Sequence, residues 1–361
     1  MVFDARWLST GIGTYTLQLI SRLKACGDIY LRALTGAGYK SVLEPYCDQV
    51  TVVNSGMYSI REQVEIPWAA GHCDLLHVPH YNAPVFHRGA MLVSIHDLTH
   101  ILDQTFRSSW KSRMYARPML RLAAAQADHI FTVSEYSKRQ IIEHLGVRDG
   151  KVTVVYNGVS PQFFPEAHDE SRLKVSKAYG FEGPYVLYVG NVKPHKNIAG
   201  LIHAFASLAS RRKIEHKLLM IGGDTAGHAE MRALATKCGL NGSAVFVPQI
   251  SFDSLRTVYS GAEITVLPSF EEGFGLPIVE SMACGTPVAC SAAASMPEVG
   301  GAAAEYFDPR DIDSMASTLE KVLFSQDHWL AMRQLGIEQA SSFSWEACAR
   351  KHYEVYKGFL N

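Results

Sequence analysis

One rhythm constrains this chain more than any other feature. Short apolar runs alternate with stretches of helical periodicity, and the whole alternation occurs twice. In the first half, strands are expected near 29–34, 74–78, 91–95, 129–133 and 152–155, and helices near 13–25, 107–126 and 135–145. The polar stretch 156–182, with Pro161, Pro165 and a cluster of charges, is expected to be a linker. The pattern then restarts. "YVLYVG", "KLLMIGG", "AVFVPQ", "ITVLPS" and "PVACS" read as strands, and "NIAGLIHAFASLASR", "DSLRTVYSGA" and "LPIVESMACG" as helices. The final "SWEACARKHYEVYKGFL" reads as a helix with Ser344 as its N-cap. Strands alternating with helices argue for parallel sheets covered by helices. A chain of 361 residues suits two such domains, divided at about 160. Two open sheets facing each other would enclose a cleft, and ligands of such sheets gather at the carboxyl ends of the strands.

Composition excludes several classes. Hydrophobic residues are 47%, charged residues 19%, and the net charge is −1, which gives neither a disorder signal nor a global nucleic-acid signal. The charge is uneven: residues 1–160 carry about +3 and residues 161–361 about −4. Seven cysteines, odd in number and without metal-type spacing, read as reduced thiols in a cytoplasmic protein. "MVFDARWLSTGIG" lacks the apolar core of a signal peptide, and no run of apolar residues is long enough to span a membrane. Peripheral contact with a membrane stays open.

The sharpest motif is "PSFEEGFGLPIVESMACGTPVA", residues 268–289. A helix is expected to begin near Pro277, a residue suited to the first helical position, and to end at Gly285. Glu272 then lies in the loop after a strand and Glu280 in the first helical turn. Gly273, Gly275 and the helix N-terminus offer amide donors suited to a phosphate. A carboxylate facing phosphate would repel it. The two glutamates should therefore accept hydrogen bonds from neutral groups attached to the phosphates, such as ribose and sugar hydroxyls. Taken singly, Glu280 also reads as a helix-dipole partner and Glu272 as a solvated loop charge.

"FEEGFGLPIVESMACGTPV" resembles the signature of the retaining glycosyltransferases of family 4. The resemblance extends along nearly the whole chain, through "DARWLSTGIGTYTLQLISRL", "SIHDLTH", "ADHIFTVSEYSKRQII", "VTVVYNGVSPQFF", "LYVGNVKPHKNIAGLIHAF" and the loop "AAAEYFDPRD". It implies the GT-B fold, two Rossmann-like doubly wound parallel-sheet domains facing a central cleft. The domains would be an acceptor domain over 1–160, with helix 344–361 packing back on it, and a nucleotide-sugar domain over 161–343. The motif places Gly273, Phe274, Gly275, Leu276 and Glu280 at the nucleotide sugar, with Glu280 on the ribose and Glu272 on the sugar hydroxyls. Lys196 would neutralise the diphosphate. Members of the family often carry arginine where this chain has Asn191 or His195, so the second phosphate contact falls to His195, to Lys193 or to the loop amides. Gly11 and Gly13 in "TGIG" would let the backbone approach the ligand, and alone read equally as an ordinary loop. His96 would contact the transferred sugar, and alone reads equally as structural; Asp97 reads as a turn residue. "HVPHYN", residues 77–82, would line the acceptor side.

Residues 104–127 hold five bases and no acid. Arg113, Arg117 and Arg121 recur every four residues, so they share one helix face. This is either a solvated face or a contact for anionic lipid or an acceptor's phosphates. "DID", residues 311–313, reads as a helix cap rather than a metal site, so no metal and no cofactor are expected. The closest look is to bacterial mannosyltransferases of surface-polysaccharide synthesis. GDP-mannose is therefore the expected donor, with UDP-hexoses and dTDP-rhamnose as alternatives, and a glycan or polyprenyl-diphosphate-linked glycan the acceptor. The base would be read by groups near 223–250. Two rivals come from other classes. A glycoside hydrolase would use Glu272 and Glu280 as its acid/base pair, but leaves the glycine loop between them without a role. An inactive transferase-like partner subunit is favoured by Asn191 and opposed by intact Lys196, Glu272 and Glu280.

Overall fold

The computed structural model describes residues 1–9, 11–99, 110–223 and 225–360, with only the backbone of Ser9, residues 110–115, Thr225 and Ala226. The chain forms two units. Unit 1 takes the residues up to Gly158 and the stretch Ser344–Asn361; unit 2 takes Val159–Phe343.

Unit 1 is built on seven parallel strands: β1 (Val2–Asp4), β2 (Arg32–Thr35), β3 (Gln49–Val52), β4 (Leu75–Val78), β5 (Ala90–Ser94), β6 (His129–Thr132) and β7 (Val152–Val154). Their order is β3-β2-β1-β4-β5-β6-β7. Two strands escape the sequence pattern. "VFD" of β1 is fully buried at the centre but too short to show a period. "QVTV" of β3 is a half-exposed edge. Helices α1 (Gly13–Cys26), α2 (Glu62–Ala70), α3 (Trp110–Gln126) and α4 (Glu135–Leu145) follow. The expected start of α3 at 107 lies outside the described residues. Ile66 and Ala70 of α2, Leu120 and Ala123 of α3 and Ile141 of α4 share one core with Leu76, Val93 and Ile130. These three helices therefore cover the same sheet face. Ser134 caps α4 by accepting from Ser137 N at 3.1 Å, and Gly146 ends it with φ 69°.

Unit 2 begins with a correction. The expected linker 156–182 contains helix α5 (His168–Tyr179), which opens on Asp169 and Glu170 and ends on Gly180 with φ 72°. Few of its residues are apolar, so its 3.6 period was hidden; Ser171, Val175 and Ser176 make up its buried side. Six parallel strands follow: β8 (Tyr185–Val189), β9 (Lys217–Ile221), β10 (Ala244–Val247), β11 (Ile264–Leu267), β12 (Val288–Ser291) and β13 (Ala304–Phe307), in the order β10-β9-β8-β11-β12-β13. β13 corrects the expectation of a loop at "AAAEYFDPRD"; it is a partly exposed edge strand. The run "YVLYV" of β8 is apolar throughout because both its faces are buried. Val186 and Tyr188 enter one core, Tyr185 and Leu187 the other. The longer helices are α6 (Ile198–Arg211), α7 (Thr225–Lys237), α8 (Phe252–Ser260), α9 (Leu276–Ala283), α10 (Ile312–Leu323) and α11 (Gln326–Ser341). Asp311 caps α10 by accepting from Asp313 N and Ser314 N.

Helix α12 (Trp345–Tyr356) belongs to unit 1, although it follows unit 2 in the chain. Ser344 accepts from Ala347 N at 3.0 Å, and the helix packs on α1. A buried chain of hydrogen bonds fastens it to the sheet. The Cys348 carbonyl accepts from His352 Nδ1 at 2.9 Å, so His352 Nε2 must accept, here from the Tyr15 hydroxyl at 2.7 Å. The Tyr15 oxygen then accepts from Ser94 at 2.8 Å, and Ser94 accepts from His77 Nε2 at 2.8 Å. His77 Nδ1 accepts from Tyr356 at 2.5 Å. Every donor and acceptor direction is set by one carbonyl. Burial holds both histidines neutral, lowering His77 well below its usual range and His352 to about 3.

Candidate active site

At the carboxyl ends of the unit 2 strands the loops are stitched to one another. Asn197, held at φ 52°, donates from Nδ2 to Pro268 O at 3.1 Å and to Pro309 O at 2.8 Å. Phe270 N donates to His195 O at 2.8 Å. The loops after β8, β11 and β13 are thus fixed together, and this brings Lys196 onto Glu272. The ammonium lies 2.5 Å from Glu272 Oε1, which also accepts from Ser269 Oγ at 2.8 Å. Ser295, in the loop after β12, donates to the Glu272 carbonyl at 2.9 Å. Both charges are only partly exposed, so solvent screens the pair less than it would a surface bridge.

The glycine loop enters α9 through Gly275, left-handed at φ 88°. A side chain there would be strained and would crowd Ile278. Pro277 stands in the first turn, as the sequence indicates, and Gly285 follows the helix with φ 73°. Glu280 lies past that first turn, because the helix starts at Leu276. This corrects its expected position, and with it the helix-dipole reading. Glu280 is 8% exposed and accepts from Tyr259 of α8 at 2.9 Å through Oε2. Burial raises its pKa from 4.5 to about 7, against the opposing Tyr259 hydrogen bond. The result is a carboxyl poised near neutrality.

The remaining unit 2 residues divide by exposure. Phe274 is buried with its ring edge-on to Phe343 at 5.5 Å, so its ring packs the core and only its backbone serves the loop. Gly273 and Gly275 are buried, and Leu276 is half-buried at the helix start. Asn191 is exposed, with its carbonyl accepting from Tyr188 at 2.8 Å. Lys193 is exposed and His195 buried. Among the described residues of unit 2, the cation brought onto Glu272 is Lys196.

In unit 1, Gly11 is exposed with open space around it. Gly13 has a local reason: a Cβ there would meet Leu8 O at 2.2 Å. His96 follows β5 and is half-buried. Its Nε2 lies 3.1 Å from Pro79 O after β4, and its ring packs edge-on to Tyr15 at 4.6 Å between centroids. A carbonyl can only accept, so Nε2 carries the proton and Nδ1 is an acceptor. Burial lowers its pKa and keeps it neutral. Asp97 accepts from Thr99 N at 2.9 Å, a turn contact. Arg117 and Arg121 are exposed, while the Arg113 side chain lies outside the described residues. In "HVPHYN", His77 belongs to the buried chain described above. His80 stacks on Trp7 at 3.8 Å, and Asn82 donates to Glu62.

Sequence reasoning missed the groups that hold the two glutamates. These are Tyr259 on Glu280, Ser269 on the Glu272 carboxylate and Ser295 on the Glu272 carbonyl. It also missed a buried ion cluster in unit 1. Arg6 is bidentate on Asp4 and reaches Glu62 Oε2 at 2.8 Å, while Glu62 Oε1 accepts from Asn82 at 2.7 Å.

Two parallel Rossmann-like units, one carrying a glycine loop flanked by glutamates, form the GT-B class of glycosyltransferases. The sequence matches the model for glycosyl transferases group 1 over residues 171–339 and that for glycosyltransferase family 4 over residues 9–163. The two matches lie one after the other, so the chain carries the two domains of a glycosyltransferase. It is 29% identical to O-antigen chain mannosyltransferase B of Escherichia coli, over 96% of each chain. It is 25% identical to the O-antigen chain mannosyltransferase RfbU of Salmonella typhimurium, over 87% of each. Among solved structures it is similar to Anabaena Alr3699/HepE, in complex with UDP and glucose, with a TM-score of 0.81 and 17% identity over 99% of this chain and 98% of that one.

Proposed function

We propose that this glycosyltransferase transfers mannose from GDP-mannose, with retention of anomeric configuration, to a glycan or lipid-linked glycan in polysaccharide biosynthesis. The observation that carries the reading is the Lys196–Glu272 pair at 2.5 Å beside the loop that opens α9. A cation held by a carboxylate next to the amides of a glycine loop and helix start suits a sugar diphosphate, whose charge and hydroxyls lie side by side. The mannosyltransferase relatives favour the donor.

Unit 2 would hold the donor. Lys196 stabilises the charge that grows on the leaving diphosphate, helped by the amides around Gly273 and Gly275. Glu272 turns from its serine and lysine partners toward a hydroxyl of the sugar and orients the anomeric carbon. Glu280 accepts from the ribose. Unit 1 supplies His96, whose Nδ1 accepts from a hydroxyl. Attack from the face that the diphosphate leaves lets a phosphate oxygen take the acceptor's proton, so no enzymic nucleophile is required. The sugar nucleotide is a substrate, and neither metal nor cofactor enters these steps. The protein would work in the cytoplasm, against the inner face of the membrane that carries its acceptor.

The test is a panel of GDP-, UDP- and dTDP-sugars, read by thermal stabilisation and slow donor hydrolysis, with the anomer of the first product assigned by NMR. GDP-mannose should stabilise most and yield α-mannose first. Preference for a UDP- or dTDP-sugar would replace the donor, and β-mannose as first product would end the retention proposal.

A further inference from the structure

Soluble domains rarely show several large apolar side chains in a row on one helix. Unit 1 does. Ile60 is 90% exposed, Val64 62% and Trp68 83%. They are four residues apart, on the turn leading into α2 and on the helix itself, so they form a single line along its outer side. The opposite side, Glu62, Ile66 and Ala70, is buried. Both acids of α2 are engaged away from that line. Glu62 is buried on Arg6 and Asn82, and Glu65 takes Asn54 N at 2.8 Å and Arg61 at 3.4 Å.

The neighbouring surface is basic. The loop after β4 is tied to α2 by Val85 N donating to Gln63 Oε1 at 2.8 Å, and to α3 by Gln126 donating to Val85 O at 3.2 Å. That loop exposes Phe86, at 64%, and Arg88. Because α2 and α3 share one core on one sheet face, their outer sides both turn away from that face. Among the described side chains of α3 the exposed bases are Arg117 and Arg121. Among the described residues, Arg88, Arg117 and Arg121 have no ion-pair partner.

We propose that the outer face of α2, with Phe86 and the flanking arginines, docks unit 1 onto an anionic lipid bilayer. Charge complementarity selects this occupant. An apolar line carrying a tryptophan suits the boundary between headgroups and acyl chains, and the arginines beside it suit lipid phosphates. The face would bring the protein to a membrane-borne acceptor. It gives residues to the membrane contact raised under the proposed function but stands on different observations, since docking is read without sugar transfer.

The test is co-sedimentation with phosphatidylcholine vesicles, with and without phosphatidylglycerol. The parent protein should bind the anionic vesicles and lose most binding at high salt. Val64→Ser with Trp68→Ser should weaken binding at least about tenfold. Arg117→Glu with Arg121→Glu should weaken it severalfold. These positions are exposed, and thermal unfolding checks that each variant stays folded. Absence of binding by the parent, or equal binding by the Val64/Trp68 variant, overturns the proposal. So does a lipid-free dimer that the Trp68 change dissolves, because the face would then join two copies. Failure of sugar transfer with vesicle binding intact would count against the donor reading alone.

Discussion

Glu280→Gln should make this protein more stable and yet a poorer binder of nucleotide. The buried Glu280 carboxyl titrates near 7 in the folded chain and at 4.5 when exposed. Below about 4.5 both states hold the proton. Between 4.5 and 7 the unfolded chain releases it while the native chain keeps it, so stability falls as pH rises. At about 1.4 kcal/mol for each tenfold ratio, the loss comes to about 3 kcal/mol and is complete above about pH 7. Glutamine cannot ionise, still accepts from Tyr259, and escapes the loss. Urea unfolding followed by circular dichroism should show the variant and the parent alike near about pH 4.5 and the variant about 3 kcal/mol more stable near about pH 8.5. Stability curves that run parallel from acid to alkaline pH would refute the reasoning. Binding should move the opposite way. A ribose hydroxyl bonds best to the ionised carboxylate, so nucleotide affinity should rise with pH toward neutrality, with proton release measurable by calorimetry in buffers of different ionisation enthalpy. A variant that binds as tightly as the parent would sink the ribose assignment.

Removing Lys196 or Glu272 should each lower transfer by about 100-fold or more, and the double variant should lose far less than the product of the two; multiplicative losses would mean that the 2.5 Å pair does not act as a unit. Glu62→Ala removes the acceptor of Arg6 Nη1 and of Asn82 Nδ2 in the core, while Arg6 keeps its bidentate pair with Asp4, and should cost about 1–3 kcal/mol, read by urea unfolding. Gly13→Ala drives a methyl into the Leu8 carbonyl and should lower the melting temperature by several degrees; an unchanged melting temperature would show that the turn yields freely.

What the sequence made legible follows from the range of the interactions. "YVLYV" announces a doubly buried strand because the five residues carry the signal themselves. "VFD" and "AEYF" form strands through neighbours far along the chain, one at the centre of a sheet and one at its edge. The turn chemistry of Gly275, Pro277 and Gly285 was local and therefore visible. The depth of Glu280 was not, because Tyr259 reaches it from another helix. The same holds for His77: the sequence suggests the acceptor side for it, and the Tyr356 that buries it in a polar network stands 279 positions away. Polar α5 was lost in what looked like a linker because amphipathic period, not helical propensity, is what a sequence displays most clearly.

The anchoring of α12 has a consequence for how the molecule is made. Unit 2 is complete once residue 343 has been synthesised, whereas unit 1, begun at the first residue, still lacks a helix. A nascent chain halted there leaves the Tyr15 hydroxyl without the His352 acceptor, His77 Nδ1 without the Tyr356 donor, and the Phe131 ring without the imidazole that lies 4.2 Å from it. The half translated first is therefore the half finished last. A ribosome pausing once residue 343 has emerged would display a closed second unit and an open first one, a substrate for chaperones and proteases until residues 345–356 follow.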